Sequence, residues 1–234
     1  MEEIEGLVRA LREGGDAAKV MAAVRALRDL ASMNGANKVA IAAAGGIPPL
    51  VQLLRDGSAK ARWTAARALF SLACDNPANK VAIAEAGGIA SLVELLRDGS
   101  AEAKWPVALA LRNLADNNDA NAVAIAAAFG LEAFVQLMRD GGVSARSDAE
   151  WALRLLARNN DANAVAIAVA VGLEALVQLA RRGRVTVDDE LLLRNANVPA
   201  KRKAALVVAA LLRDYVPEFK SAPRDIKTVI ASYL

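Results

Sequence analysis

Apolar residues recur at three- and four-residue spacing along almost the whole chain, in bursts separated by short polar stops. Between residues 45 and 86 the pattern predicts three helices. Ile47, Leu50, Val51, Leu53 and Leu54 give a first helix over Ile47–Arg55, with Pro48 where a helix begins and a missing N–H costs nothing. Asp56-Gly57 stops it. Ser58 reads as the N-cap of a longer helix, about Ala59–Cys74, whose stripe is Ala61, Ala65, Ala68, Leu69 and Leu72. Asp75-Asn76-Pro77 breaks the chain. Asn79 then reads as the cap of a short third helix, Lys80–Ala86, and Gly87-Gly88 turns the chain sharply into the next helix.

This pattern repeats. Gly45-Gly46-Ile47 returns as Gly87-Gly88-Ile89, then as Phe129-Gly130-Leu131 and Val171-Gly172-Leu173, each time after 42 residues, and Asn37, Asn79, Asn121 and Asn163 keep the same step. Residues 45–86 and 87–128 match at 27 of 42 positions, too many for independent segments. A fixed period of this length predicts a solenoid, in which each unit buries its stripe only against its neighbours. The units are expected at 2–44 (partial), 45–86, 87–128, 129–170 and 171–214 (degenerate), in a single domain. The first is expected to lack its short helix and to present Glu2, Glu3 and Glu5 as a polar outer face. A last helix near 222–234, with Ile226, Val229, Ile230, Tyr233 and Leu234 on one side, reads as a C-terminal cap. The expected product is a long curved surface suited to holding another chain.

Composition narrows the function. Hydrophobic residues make up 55% of the 234 residues but aromatics only 4%, so the apolar mass is small and aliphatic, and helices can approach closely. The 29 basic and 26 acidic residues balance too evenly to argue for nucleic acid. There is no His, which removes the commonest general base and neutral metal ligand. Cys74 is the sole cysteine, so an internal disulfide and a thiolate zinc cluster are excluded, and a reducing intracellular setting, cytoplasmic or nuclear, is expected. The acidic start lacks the features of a signal peptide. The apolar runs Ala122–Leu131 and Ala164–Leu173 are too short to span a bilayer and read as buried helices.

The string Gly45-Gly46-Ile47-Pro48-Pro49-Leu50-Val51-Gln52-Leu53-Leu54, followed by Gly57, resembles the armadillo repeat, as does Ala65-Ala66-Arg67-Ala68-Leu69 with Leu72-Ala73 and Asn76. The resemblance covers nearly the whole chain and weakens after Arg184. It implies an all-α fold, a right-handed α-α superhelix of about four to five repeats with terminal caps, whose long helices line a concave groove for an extended peptide. In importin-alpha-like members a Trp and an Asn four residues apart on each long helix grip the ligand. The Trp positions here hold Arg25, Arg67, Leu109 and Trp151, and the Asn positions Asp29, Ser71, Asn113 and Leu155. No repeat has both, which argues against an importin-like nuclear-signal receptor; beta-catenin-like adaptors are the other comparison.

Trp63 and Trp105 occupy equivalent positions, four residues before Arg67 and Leu109 and so on the same helix face. Trp63-Arg67-Ser71, Trp105-Leu109-Asn113 and Ser147-Trp151-Leu155 are therefore expected as adjacent stripes on the concave wall, with Arg25, Arg28, Arg62, Arg112, Arg154 and Arg158 on or beside them. Trp and Arg are the usual interface anchors. The bland alternatives are Trp packed between helices, and Arg either solvated or paired with Asp29, Asp116, Asp148 and Glu150. Pro106 is expected to kink its helix beside Trp105. Asn117-Asn118-Asp119 and Asn159-Asn160-Asp161 read as turns and N-caps, Lys201-Arg202-Lys203 as a solvated face, and Cys74 as a quiet helix-end residue.

The resulting expectation is a non-catalytic interaction scaffold, binding an extended or helical protein segment that carries acidic side chains, with no cofactor, no metal, no membrane and no nucleic acid, and favouring a monomer. The alternatives are a structural subunit of a larger assembly, an engineered or consensus-like repeat protein, a nucleic-acid binder on the Arg stripes and, least, an enzyme.

Overall fold

The structure, a computed structural model, describes residues 1–158, 163, 166 and 167. The expected degenerate repeat 171–214, the cap helix 222–234, Asn159-Asn160-Asp161, the Lys201-Arg202-Lys203 cluster and most of the 164–173 run lie outside them. The chain divides into two compact units, Met1–Leu155 and Leu156–Leu234. Among the described residues there are eleven helices and no strand. They follow a three-helix order: α1 (Glu2–Glu13), α2 (Ala17–Met33), α3 (Gly35–Ala43); α4 (Ile47–Asp56), α5 (Ala59–Ala73), α6 (Pro77–Glu85); α7 (Gly88–Asp98), α8 (Ala101–Ala115), α9 (Asp119–Ala127); then α10 (Gly130–Asp140) and α11 (Val143–Ala157).

In the first unit α5 packs between α2 and α8, while α4 packs on α7 and α7 on α10. The protein is an all-α repeat solenoid. Its core is the aliphatic stripe the spacing predicts: Leu50, Val51 and Leu54 on α4, Ala65, Ala68, Leu69 and Leu72 on α5, and Leu92 and Leu96 on α7 are all buried. Ala65, Ala66 and Ala68 are fully inaccessible, and their single carbons allow the close approach of the long helices.

Segment 2–44, expected to lack its short helix, holds three. Ile4, Val8 and Leu11 form the buried stripe of α1, and Glu2, Glu3 and Glu5 sit in its first turn, where they suit the helix dipole. A short helix is missing only if repeats are counted from α3 onward, when α1 and α2 stand alone.

The short third helices also start earlier than expected. Asn76, not Asn79, caps α6: its side chain accepts from the Asn79 backbone N–H at 3.0 Å, and Asn34 and Asn118 do the same for α3 and α9. Asn79 lies inside the helix and serves another purpose. Its side-chain amide donates to the carbonyl of Leu72 at 3.0 Å, at the end of α5, and to that of Lys38 at 3.2 Å, in the preceding repeat. Asn121 repeats both bonds, to Leu114 and Lys80. In the second unit Asn163 makes the intra-repeat bond, to Leu156. Helices leave their last carbonyls unpaired; a buried Asn seven residues on satisfies one and ties two repeats together.

Residues 122–131 form no single buried helix. α9 and α10 meet at 81° between Ala127 and Gly130, and Val123 and Phe129 are exposed. Among the described residues no single helix is long and apolar enough to cross a membrane. Phe129 occupies the boundary position that Gly45 and Gly87 hold elsewhere, with positive φ in all three.

Candidate functional site

The three long helices α2, α5 and α8 lie side by side and present one shared face. It carries a depression of about 380 Å³, at the small end of the range for ligand pockets. Arg28, Asp29 and Ser32 of α2 form one wall. Arg67, Phe70 and Ser71 of α5 form the floor and flank. Trp105, Pro106 and Leu109 of α8 close the other side. The 42-residue step creates this arrangement, because it sets the same face of each long helix beside the next.

The stripes differ in accessibility. Trp105 is 43% exposed and Trp151 54%, while Trp63, Arg67 and Leu109 are half-buried. Asn113 is half-buried, and its side-chain amide has no hydrogen bond among the described residues. Ser71 and Leu155 are largely buried, each 8% exposed, and Ser71 still lines the pocket. The Ser71 hydroxyl lies 3.0 Å from that of Ser32, which donates to the Arg28 carbonyl at 2.9 Å. Ser32 has one proton, already committed, so Ser71 is the donor between them.

The arginines sort into distinct roles. Arg67 lays its guanidinium over Trp63, 5.1 Å from the ring centroid, a cation–π contact. Arg28 gives Nε and Nη2 to one carboxylate oxygen of Asp29, at 2.9 and 2.7 Å. Arg112 pairs with Asp148 and Arg154 with Glu150. Arg62, expected on the stripes, instead donates to the carbonyls of Arg55 and Gly57 and secures the end of α4. Arg25 is exposed, and its side chain has no partner among the described residues.

Asp148 is a junction. It accepts from the indole N–H of Trp105 at 2.9 Å and from Arg112, so the exposed Trp105 ring is held from its polar edge. Pro106 stands inside α8, which runs through it unbroken. The sequence named Asp148 as an arginine partner but missed its bond to Trp105, and it missed Phe70, Ser32 and Pro106 as walls of the pocket. A recurring offset held the signal for the pairings: Arg112–Asp148, Arg55–Ser91, Lys38–Cys74 and Lys80–Asp116 are all 36 residues apart.

A family model described as the Armadillo/beta-catenin-like repeat matches residues 36–74 and 76–116, which correspond to α3–α5 and α6–α8. No curated protein sequence matches the chain. Among solved structures the chain is similar to an engineered protein from a structural genomics consortium, at 30% identity and a TM-score of 0.74, over 100% of this chain and 98% of that one. A second engineered protein from the same source is similar at 27% identity, with a TM-score of 0.74 and the same coverage. A designed armadillo repeat protein in complex with the peptide (KR)4 is similar in fold, at 23% identity and a TM-score of 0.72, over 98% of this chain and 97% of that one.

Proposed function

The chain belongs to the armadillo repeat family, and from that premise we propose that it is a non-catalytic scaffold that binds an extended or helical peptide segment on the concave face of its long helices. The observation that carries this reading is Trp105. A large aromatic ring, 43% exposed and fixed by Asp148, sits at the rim of a pocket that three successive repeats build. An exposed, pre-oriented aromatic loses little entropy on binding, which is what makes such residues anchors. Asn113 stands two turns further along α8 with its amide free, suited to pair with a peptide backbone that would otherwise lose its hydrogen bonds on burial. Trp63, Arg67 and Leu109 flank this centre, and Arg112 on α8 with Trp151 and Arg154 on α11 extend the face. Ser71 lines the pocket, and Leu155 is largely buried in α11.

The (KR)4 peptide of the structurally similar designed protein is basic, but the pocket here is lined by Arg28 and Arg67, which would repel a basic ligand. We read the ligand of this chain as acidic. Arg112 and Arg154 already have carboxylate partners within the protein, so they contribute less to that preference than Arg67 and Arg25.

Two alternatives have observations of their own. Val39, Val81 and Val123 are exposed at equivalent positions of α3, α6 and α9, a row that would suit docking in a larger assembly. The likeness to engineered proteins and the close repeat identity fit an engineered or consensus-like origin.

The test is selection of random octapeptides against the immobilised chain. Binders are expected, and each should lose affinity for the Trp63→Ala, Trp105→Ala, Trp151→Ala triple variant. Equal binding to that variant moves the site off this face; a selection that yields no binder ends the peptide reading.

A further inference from the structure

We propose that the pocket between α2, α5 and α8 is a subsite for one carboxylate side chain of the bound peptide, held by Arg67; this rests on the peptide-binding reading above. Two guanidinium groups and one carboxylate line the pocket. Arg28 is committed to Asp29 through two donors on one oxygen, so those charges cancel where they stand. Arg67 is left as the unmatched charge. Its guanidinium makes no hydrogen bond among the described residues and is steadied by the Trp63 ring beneath it. The ring contact uses none of the N–H donors in a hydrogen bond among the described residues, so they can meet a carboxylate in the two-pronged geometry that planar pairs favour.

The remaining walls strengthen that pairing. Trp105, Phe70, Pro106 and Leu109 are apolar and partly shield the pocket from water. A charge pair formed against such walls is screened less than one on an open surface. The same walls give the carbon stem of a glutamate, or an apolar neighbour in the peptide, something to pack on.

The charge count also sets the valence. With Arg28 neutralised, the pocket offers a single net positive charge, which one carboxylate satisfies. A phosphorylated side chain brings close to two negative charges, and would have to draw Arg28 away from Asp29 to be matched. A lysine or arginine of the ligand would face Arg67 directly. The subsite therefore selects Glu or Asp over neutral, basic and phosphorylated side chains.

The experiment uses the full chain and fluorescein-labelled octapeptides (Val-Glu)4, (Val-Gln)4, (Val-Lys)4 and (Val-phosphoserine)4. In an extended peptide the alternating residues all point to one side. (Val-Glu)4 should bind about tenfold or more tightly than (Val-Gln)4, as expected for a hydrogen bond between charged groups. Arg67→Gln should reduce that preference to about twofold or less, and Arg67→Lys should retain part of it. Urea unfolding of both variants, unchanged from the parent, separates a lost subsite from a damaged fold. Binding of (Val-Gln)4 or (Val-Lys)4 as tightly as (Val-Glu)4, with loss in Trp105→Ala, overturns the carboxylate subsite while the peptide reading stands. A preference for Glu that survives Arg67→Gln also overturns it and points to Arg25. Tighter binding of the phosphoserine peptide overturns the charge count. If none of the four peptides binds, the subsite fails; the peptide reading then falls only if the random selection also yields nothing.

Discussion

The carbonyl of Lys38 accepts a hydrogen bond at 3.2 Å from the side-chain amide of Asn79, one repeat further along the chain. The same amide also serves Leu72, so one buried side chain closes its own repeat and clasps the previous one. Asn79→Ala removes both bonds and leaves the Leu72 carbonyl, at the end of α5, without a partner, while the Lys38 carbonyl keeps its bond within α3. The expected loss is ~1–3 kcal/mol, the cost of unsatisfied buried polar groups. A lowered urea midpoint checks this; Val81→Ala, on the exposed side of the same helix, should leave the midpoint almost unchanged.

Lys80 makes the complementary forward contact. It is 7% exposed, and its ammonium donates to the carbonyl of Asp116 in the next repeat at 2.6 Å, as Lys38 does to Cys74. Lys80→Met keeps the packing of the stem but removes the donor. The expected cost is ~1–3 kcal/mol, and it should fall on the seam between α6 and α8. Amide hydrogen exchange should rise in α8 and α9 more than in α2. Uniform change along the unit would mean that the contact is not a local clasp.

Much of the fold was legible because its determinants are local. Helix stripes, Gly and Pro stops and a 42-residue step depend on nearby residues, and the three-helix order arises from them. Asn79 shows where that reading stops. Its place just ahead of an apolar run looks like an N-cap, but Asn76 takes that role and Asn79 is drawn inward by carbonyls that only the stacked repeats bring near. Arg62 has the spacing of the groove stripe, yet the unpaired carbonyls at the end of α4 claim it. Ser71 occupies a ligand position by register and lines the pocket, but its hydroxyl bonds to Ser32 of the neighbouring helix. Each of these outcomes is decided by a neighbouring helix, which periodicity along one helix does not encode.

Phe129 marks a repeat boundary under strain. Gly45 and Gly87 hold positive φ there, at 74° and 78°, and Arg12 and Arg55 fill the space a Cβ would need. Phe129 adopts φ 63° with a side chain 64% exposed. A left-handed conformation costs a residue with a Cβ roughly 1–2 kcal/mol, while glycine loses about 0.5–1 kcal/mol more freedom on folding. Phe129→Gly is therefore expected to stabilise the unit by about 0.5–1 kcal/mol, since little burial is lost. A raised urea midpoint supports this; a lowered one would show that the exposed ring packs on something its exposure does not reveal.

Asp148 is the residue by which the charge of the groove is best altered. It binds Trp105 through the indole N–H and also neutralises Arg112, so the ring and the cation are both restrained by one carboxylate. Asp148→Ala should release both. The pair is partly exposed, with side-chain accessibilities of 31% and 14%, so the stability cost should stay near ~1 kcal/mol or below. The optical effect should be larger: Trp105 loses its fixed edge, and acrylamide should quench its fluorescence more strongly in a chain where Trp63 and Trp151 are replaced by Phe. Freed Arg112 adds a further unmatched cation, beside Arg67 and Arg25, to the same face, one helix turn from Leu109. Acidic octapeptides should then bind more tightly than to the parent, with a steeper loss on adding salt. If affinity falls instead, the orientation that Asp148 imposes on Trp105 matters more to the ligand than the charge it removes, and the ring is the dominant anchor.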